Sequence, residues 1–359
     1  MLIRGTSIPG TEKNQAAGHV DRRAVKKSRA LRSLTLYVLA FIFLGLVLWR
    51  SRVWEVGDSL GQVNPLTLAL IPLFSVVISL PLAVRQRLIL DGLGQRFSAW
   101  RLVPISYYGN TVGYLTPVSS GEILRPALFQ RGMNLPLSQG VAVVLYERIY
   151  SMFLLSVTGL MALTLTGIFP WMISAALVSL LLAASVLPPL AYRAARHLSA
   201  RLPLAHLKRL VPRRFQDWLQ EATGESGTAL SQLFLSPRLA VSFCLTTYLT
   251  FLIMTLQFWI LVREVTPGIS LSEAALVLVA SNLAGVLSGL PLGLGATDAA
   301  MVSLLGAYGA GGPASATVVV LMRGLINLPT GILGLLAYLT ALRQRPAPPL
   351  QPIAAASRE

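Results

Sequence analysis

The chain has 359 residues, of which 54% are hydrophobic and 12% charged. Its mean hydropathy is +0.66. Soluble domains are about 25% charged, so a disordered chain is excluded and a soluble globular enzyme is disfavoured. Thirty Lys and Arg against fourteen Asp and Glu give a net charge of +16.

A charge of that size would suit a nucleic-acid binder. The basic residues, however, sit in segments flanking apolar runs, as the positive-inside rule predicts for a membrane protein, and no nucleic-acid partner is expected. Cys244 is the single cysteine, which excludes an intramolecular disulfide and a cysteine metal cluster. His19, His197 and His206 all lie in basic segments and form no metal set. No cofactor or metal is expected.

Residues 1–33 hold eight basic and two acidic residues. No small-residue cleavage site follows the first apolar run, so this segment reads as a retained cytoplasmic tail. Spans are predicted at Leu34–Trp49 and Pro65–Val84, followed by an inner loop with Arg85, Arg87, Arg96 and Arg101. A long apolar run, Leu137–Phe169, turns at Pro170 and returns as Trp171–Tyr192. The polar stretch 193–237 begins with seven Lys/Arg and no acid over 193–214. Arg238–Val262 is a further span. Leu271–Leu290 and Ala296–Ala310 are apolar arms on either side of Pro291-Leu292-Gly293-Leu294-Gly295. The last span is Pro313–Leu342, and 343–359 is a cytoplasmic tail.

Were Val103–Pro117 a full crossing, the basic stretch 193–214 would fall outside. A re-entrant hairpin at about 97–130 keeps every large basic segment inside. Trp49, Trp171 and Trp259 then mark outer ends and Trp100 an inner one. Both termini are expected in the cytoplasm.

The halves repeat at a spacing of about 175 residues. Phe97–Leu102 corresponds to Leu271–Leu276, and Pro117 to Pro291. Gly121 and Glu122 correspond, after a gap, to Gly295 and Asp298. Val143–Arg148 corresponds to Val318–Arg323. By parity the repeat is inverted, which predicts a second hairpin at 271–310, although parity alone also allows two full spans there. Paired Gly/Pro-broken segments in the two halves mark the binding site of many transporters. The predicted fold is therefore all-α and polytopic, with about six to eight spans and two re-entrant hairpins.

Ionisable residues at membrane depth are costly and face a cavity or a partner. Glu122, Arg125, Glu147, Arg148, Asp298 and Arg323 are accordingly the candidate substrate-binding residues. Pro117, Gly121, Pro291, Gly293 and Gly295 form the candidate hairpin turns. Guanidinium groups bind phosphate bidentately. Ser119 or Ser120, and Thr297 or Asp298, are candidate helix caps that would leave backbone N–H groups aimed at each break. The same charges also fit a purely structural role, with Arg pairing to Glu122, Glu147 and Asp298. Asn110 and Asn282 read as helix-contact residues. The stretch 199–235 interleaves Leu202, Leu204, Leu207, Leu210, Phe215, Trp218 and Leu219 with basic residues, the pattern of an interfacial helix; a solvated linker is the competing reading. No nucleophile elbow, Walker loop, metal-ligand spacing or dinucleotide fingerprint is present, and no catalytic residue is assigned.

PVSSGEILR (Pro117–Arg125), GVAVVLYERIYS, PLGLGATDAA and Arg323 together resemble the lysylphosphatidylglycerol synthase transmembrane region family over residues 30–342. That family includes the flippase domain of the bacterial multiple peptide resistance factor and stand-alone inner-membrane proteins. This sequence departs from the pattern at Ser119 or Ser120, Leu292, Asp298 and Tyr150 or Ser151. The resemblance implies lipid translocation in the bacterial inner membrane, with Glu122, Arg125, Glu147, Arg148, Gly293, Gly295 and Asp298 in the carried-over positions. Synthase members carry a soluble aminoacyl-transferase domain after the membrane region, and about seventeen residues follow Leu342 here. A translocator that is not an enzyme is therefore expected, acting on an anionic or aminoacylated phospholipid; self-association is left open. The alternatives are a membrane-embedded enzyme or accessory subunit in polyprenyl-glycan, hopanoid or phospholipid synthesis, and a scaffold whose charges only lock helices.

Overall fold

A computed structural model describes residues 34–57, 61, 63–115, 124–199 and 225–343. Among these there are helices, turns and no strand. The helices are α1 (Leu34–Arg50), α2 (Pro65–Val77), α3 (Ser79–Gly92), α4 (Ala99–Leu115), α5 (Leu124–Met133), α6 (Leu137–Leu163) and α7 (Trp171–Ala184). They continue as α8 (Leu187–Ser199), α9 (Glu225–Leu235), α10 (Pro237–Val265), α11 (Leu271–Ser288), α12 (Ala296–Ala307), α13 (Gly312–Leu321) and α14 (Leu328–Arg343). Five stretches are long and apolar enough to cross a membrane: Pro65–Gly92, Leu137–Ile168, Pro237–Val265, Leu271–Ser288 and Gly312–Ala337. A sixth is present if α7 and the start of α8, bent by 46°, are one span. The chain is an all-α, multi-pass membrane protein.

The breaks between helices have local causes. Pro81 has no N–H to offer the carbonyl of Val77, and the helix breaks at Ile78 between α2 and α3. The neighbouring carbonyl of Val76 accepts from Ser79 Oγ at 2.6 Å and Tyr107 Oη at 3.2 Å. Pro329 poses the same problem to the carbonyl of Leu325, and Met322–Asn327 widens into a π-helix just before it. A second π-helix, Thr164–Ile168, ends α6 at Gly167, whose φ is 87°.

Apolar side chains form two cores. One gathers Ile89, Leu102, Phe129, Tyr146, Leu233 and Phe243 from α3, α4, α5, α6, α9 and the first half of α10. The other gathers Ile71, Leu261, Val277, Leu305 and Val319 from α2, the second half of α10, α11, α12 and α13. α10 thus serves both. The outward faces stay apolar, with Leu245 on α10 and Trp171 on α7 exposed, as a lipid-facing surface requires.

The long helices exchange partners between the halves: α4 packs along α14, and α11 packs along α6. Small residues permit the close approach, as is usual between membrane helices. A Cβ at Gly334 would overlap Thr111 Oγ1, and Thr111 Oγ1 donates to the carbonyl of Thr330 at 3.2 Å. A Cβ at Gly159 on α6 would stand 3.0 Å from Val279 on α11.

Two expectations change. The second span does not end at Val84. α3 continues through Arg85 to Gly92, so Arg85 is part of the bundle and not of an inner loop. The polar stretch does not remain interfacial to its end either. α9 packs against α6 with Leu233 fully buried. Residues 200–224, with most of the predicted interfacial pattern, lie outside the described residues.

The α4–α14 contact gives a paired expectation. Gly334→Ala lowers the melting temperature of the purified protein, because Thr111 and the backbone of α4 leave no room for a methyl. Gly331→Ala leaves it unchanged, since a Cβ there meets nothing within 4 Å.

Candidate functional site

The first break, with Pro117, Ser119, Ser120, Gly121 and Glu122, lies outside the described residues. Arg125 follows it, one residue into α5, and is 5% exposed. Its side chain lies across Gly109 of α4, where a Cβ would come 2.6 Å from Nε. Only glycine admits the guanidinium at that point. α5 itself lies against α6 because Gly140 leaves room for the backbone of Pro126, which a Cβ there would approach to 3.0 Å.

So placed, Arg125 Nη2 donates to Glu147 Oε2 at 2.7 Å. The other oxygen, Oε1, accepts from Arg85 Nη2 at 2.5 Å. All three side chains are buried. Arg85 also reaches Thr247 Oγ1 at 3.5 Å and lies 5.3 Å from the centroid of the Phe243 ring, a cation–π contact. One carboxylate on α6 is therefore held by guanidiniums from α3 and α5. The Nε groups of both arginines are buried without a hydrogen-bond partner.

The second break is fully described. Ser270 and Glu273 form a capping box at the start of α11. Gly289, in the left-handed region, ends that helix. Pro291–Gly293 makes one 3-10 turn, and α12 begins after Gly295. α11 and α12 pack side by side across this turn. Gly293 lies so close to Gly285 that a Cβ would stand 3.0 Å from its Cα, with Thr297 Oγ1 against both glycines.

The sequence offers Thr297 or Asp298 as a cap that leaves N–H groups free at the break, and Asp298 does not take that place. It sits instead in the first turn of α12 and reaches back, so that Gly295 N–H donates to Oδ2 at 2.9 Å. The carboxylate therefore occupies the positive end of the helix itself. Arg323, from the π-helix, closes on it as a fork: Nε to Oδ1 at 3.1 Å, and Nη2 to Oδ1 and Oδ2 at 2.9 Å each. Asp298 is buried, while the Arg323 side chain is 22% exposed.

Four of the six predicted residues thus fall into two described groups, Arg125 with Glu147 and Asp298 with Arg323, while Glu122 lies outside the described residues. In each, a residue just past a break pairs with one on the long helix that follows, and the order of charges is reversed between the halves. Arg148 is half-buried, about 100° round α6 from Glu147. Asn282 bonds back to the carbonyl of Leu278 in its own helix at 2.9 Å; the side chain of Asn110 lies outside the described residues. Among the described residues no group of His, Cys, Asp or Glu could hold a metal.

Arg85 is the residue that sequence reasoning missed. Its signal was helical register: Pro81, Arg85 and Ile89 are spaced i, i+4, i+8, and all three are buried.

Removing one partner of a buried ion pair costs about 3–5 kcal/mol, because the other charge is left uncompensated. Glu147→Ala strands two guanidiniums and is expected to lower the unfolding midpoint most. Arg323→Met strands Asp298 beside solvent-accessible space and is expected to cost less. Denaturant titration of both variants in one detergent measures the order.

Comparison with curated proteins gives no match. The family described as "Lysylphosphatidylglycerol synthase TM region" matches residues 31–334, and the chain belongs to that family.

Proposed function

We propose that the protein moves a phospholipid, or a related lipid, between the leaflets of the bacterial inner membrane, with both termini in the cytoplasm. Membership of a family connected with lipid chemistry supports a lipid as the substrate. The observation that carries the reading is the placement of charge. Arg125 and Asp298 stand just past the two breaks, and each is paired with the long helix that follows. In this reading 97–130 and 271–310 are re-entrant hairpins of an inverted repeat. α12 has twelve residues, a rise of about 18 Å against a hydrocarbon core of about 30 Å, which favours a hairpin over two crossings.

The headgroup leaves water for guanidinium and backbone donors instead of meeting bare hydrocarbon, and the acyl chains stay in the bilayer. The phosphate lies near Arg125, Arg148 or Arg323; Glu122, Glu147 or Asp298 receives a cationic headgroup or a coupling proton. The exchange of partners between α4–α14 and α11–α6 lets one half tilt against the other, exposing the site to each leaflet in turn. The reaction makes and breaks no covalent bond, so the protein is not an enzyme.

Arg148→Ala and Arg323→Ala are each expected to abolish translocation of fluorescent phospholipid in reconstituted vesicles while still inserting. Wild-type rates in both sink the mechanism, and loss of folded protein in both favours a structural role for these arginines.

The hairpin has its own test. In a Cys244→Ala background, Ser288→Cys is expected to resist membrane-impermeant thiol reagents from the inner face. Free labelling from that face overturns an outward-opening hairpin.

A further inference from the structure

Among the described residues, Arg85, Arg125 and Glu147 form a cluster with two positive charges and one negative. Each is more than nine-tenths buried. The Asp298–Arg323 pair carries one of each. A buried cluster left with one uncompensated charge is costly at membrane depth, and both of its Nε donors lack partners. A lock between helices needs only one arginine on Glu147.

We propose that this cluster is an anion site for one phosphodiester group, and that Arg85 binds substrate there together with Arg125. A phosphodiester carries a single negative charge, so its arrival makes the cluster neutral: two guanidiniums, one carboxylate and one phosphodiester. Phosphate dianion overshoots to a net negative charge. A diacylglycerol without phosphate supplies nothing. Glu147 holds the two guanidiniums in place while the site is empty, and the incoming oxygens take up donors that Glu147 does not use. Arg85 is suited to this because Phe243 and Thr247 already fix its direction. The occupant is taken to be a lipid headgroup, and that part rests on the translocation reading.

The test follows cluster charge. Arg85→Met takes it from +1 to 0, and Glu147→Gln takes it to +2. The double variant returns it to +1, with Arg125 as the remaining charge. Each protein is purified in neutral detergent and mixed with equimolar phosphatidylglycerol and diacylglycerol, and bound lipid is counted by native mass spectrometry.

The double variant, which restores the charge but lacks the Arg85 donors, is expected to retain phosphatidylglycerol more than Arg85→Met and less than wild type. Arg85→Met should retain it at least about tenfold less than wild type, the factor that one charge-assisted hydrogen bond contributes. Glu147→Gln should retain it more strongly than wild type. Should Glu147→Gln, which strands two guanidiniums, fail to fold, wild type, Arg85→Met and the double variant decide the matter. Retention that ignores cluster charge, or falls in Glu147→Gln, overturns the site.

Glycerophosphoglycerol, the phosphodiester without chains, should displace the lipid only at large excess. Inorganic phosphate displacing it equally well makes the occupant a free anion and overturns the lipid assignment. Charge-dependent retention without translocation in vesicles removes the transport reading alone. Translocation with charge-independent retention removes this site alone.

Discussion

The cost of an ionised group away from water governs this molecule more than any other term. An apolar helical bundle in a membrane gains little from moving one oily face against another, because lipid tails are equally oily. Charges inside it must therefore be brought together by backbone shape, and glycine supplies that shape. Gly109 makes the groove in α4 that takes the Arg125 side chain, and Gly140 lets α5 lie close enough to α6 for the guanidinium to reach Glu147. The ion pair and the helix packing are one arrangement: a methyl at either glycine moves the charge away from its partner.

The second half meets the same constraint differently. Its acid is placed by helix capping: Asp298 turns back onto Gly295 N–H, and in that orientation both carboxylate oxygens accept from Arg323. Arg323 comes into line through the π-helix that precedes Pro329. π-Bulges recur at functional sites because one extra residue per turn redirects a side chain without ending the helix. Here the proline requires the widening, and the widened turn carries the arginine. Several buried polar residues away from these groups bond across helices. Gln257 bonds the carbonyl of Ile71 at 2.7 Å and Ser75 Oγ at 2.8 Å. Tyr150 Oη donates to the carbonyl of Ser185 at 2.8 Å.

Much of this was legible in the sequence, because spans follow from hydropathy and breaks from Pro and Gly. The spans near 65, 137, 237 and 312 and the turn at Pro291–Gly295 stand where the apolar runs and breaker residues place them. Pairing was harder to read. The repeat aligns Glu122 with Asp298 and Arg148 with Arg323, whereas the described pair in the first half is Arg125 with Glu147, of opposite order. Sequence spacing identifies which charges are buried but not which of two neighbours, 100° apart on a helix, faces inward. Arg85 was lost for a related reason. A span count stops at the first charge after an apolar run, although Leu88, Ile89 and Leu90 continue the helix and the last two are fully buried. The small-residue contacts at Gly109 and Gly334 were not legible either, since they depend on the facing helix.

The two halves therefore share a design and differ in charge. A bundle that needed charges only as fasteners would do as well with neutral pairs, and better with well-packed apolar side chains, which often equal or exceed a buried ion pair in stability. The second half approaches that limit with one acid held by one arginine. The first half departs from it by spending a second arginine, carried on a different helix, on an acid already paired. The added guanidinium contributes nothing to neutrality and leaves N–H groups without acceptors. Such an excess is intelligible where the missing acceptor belongs to something that comes and goes. The inequality between the two groups then gives the molecule a polarity along its otherwise repeated architecture: one group in which the described acid and arginine are matched, and one that is completed by its ligand.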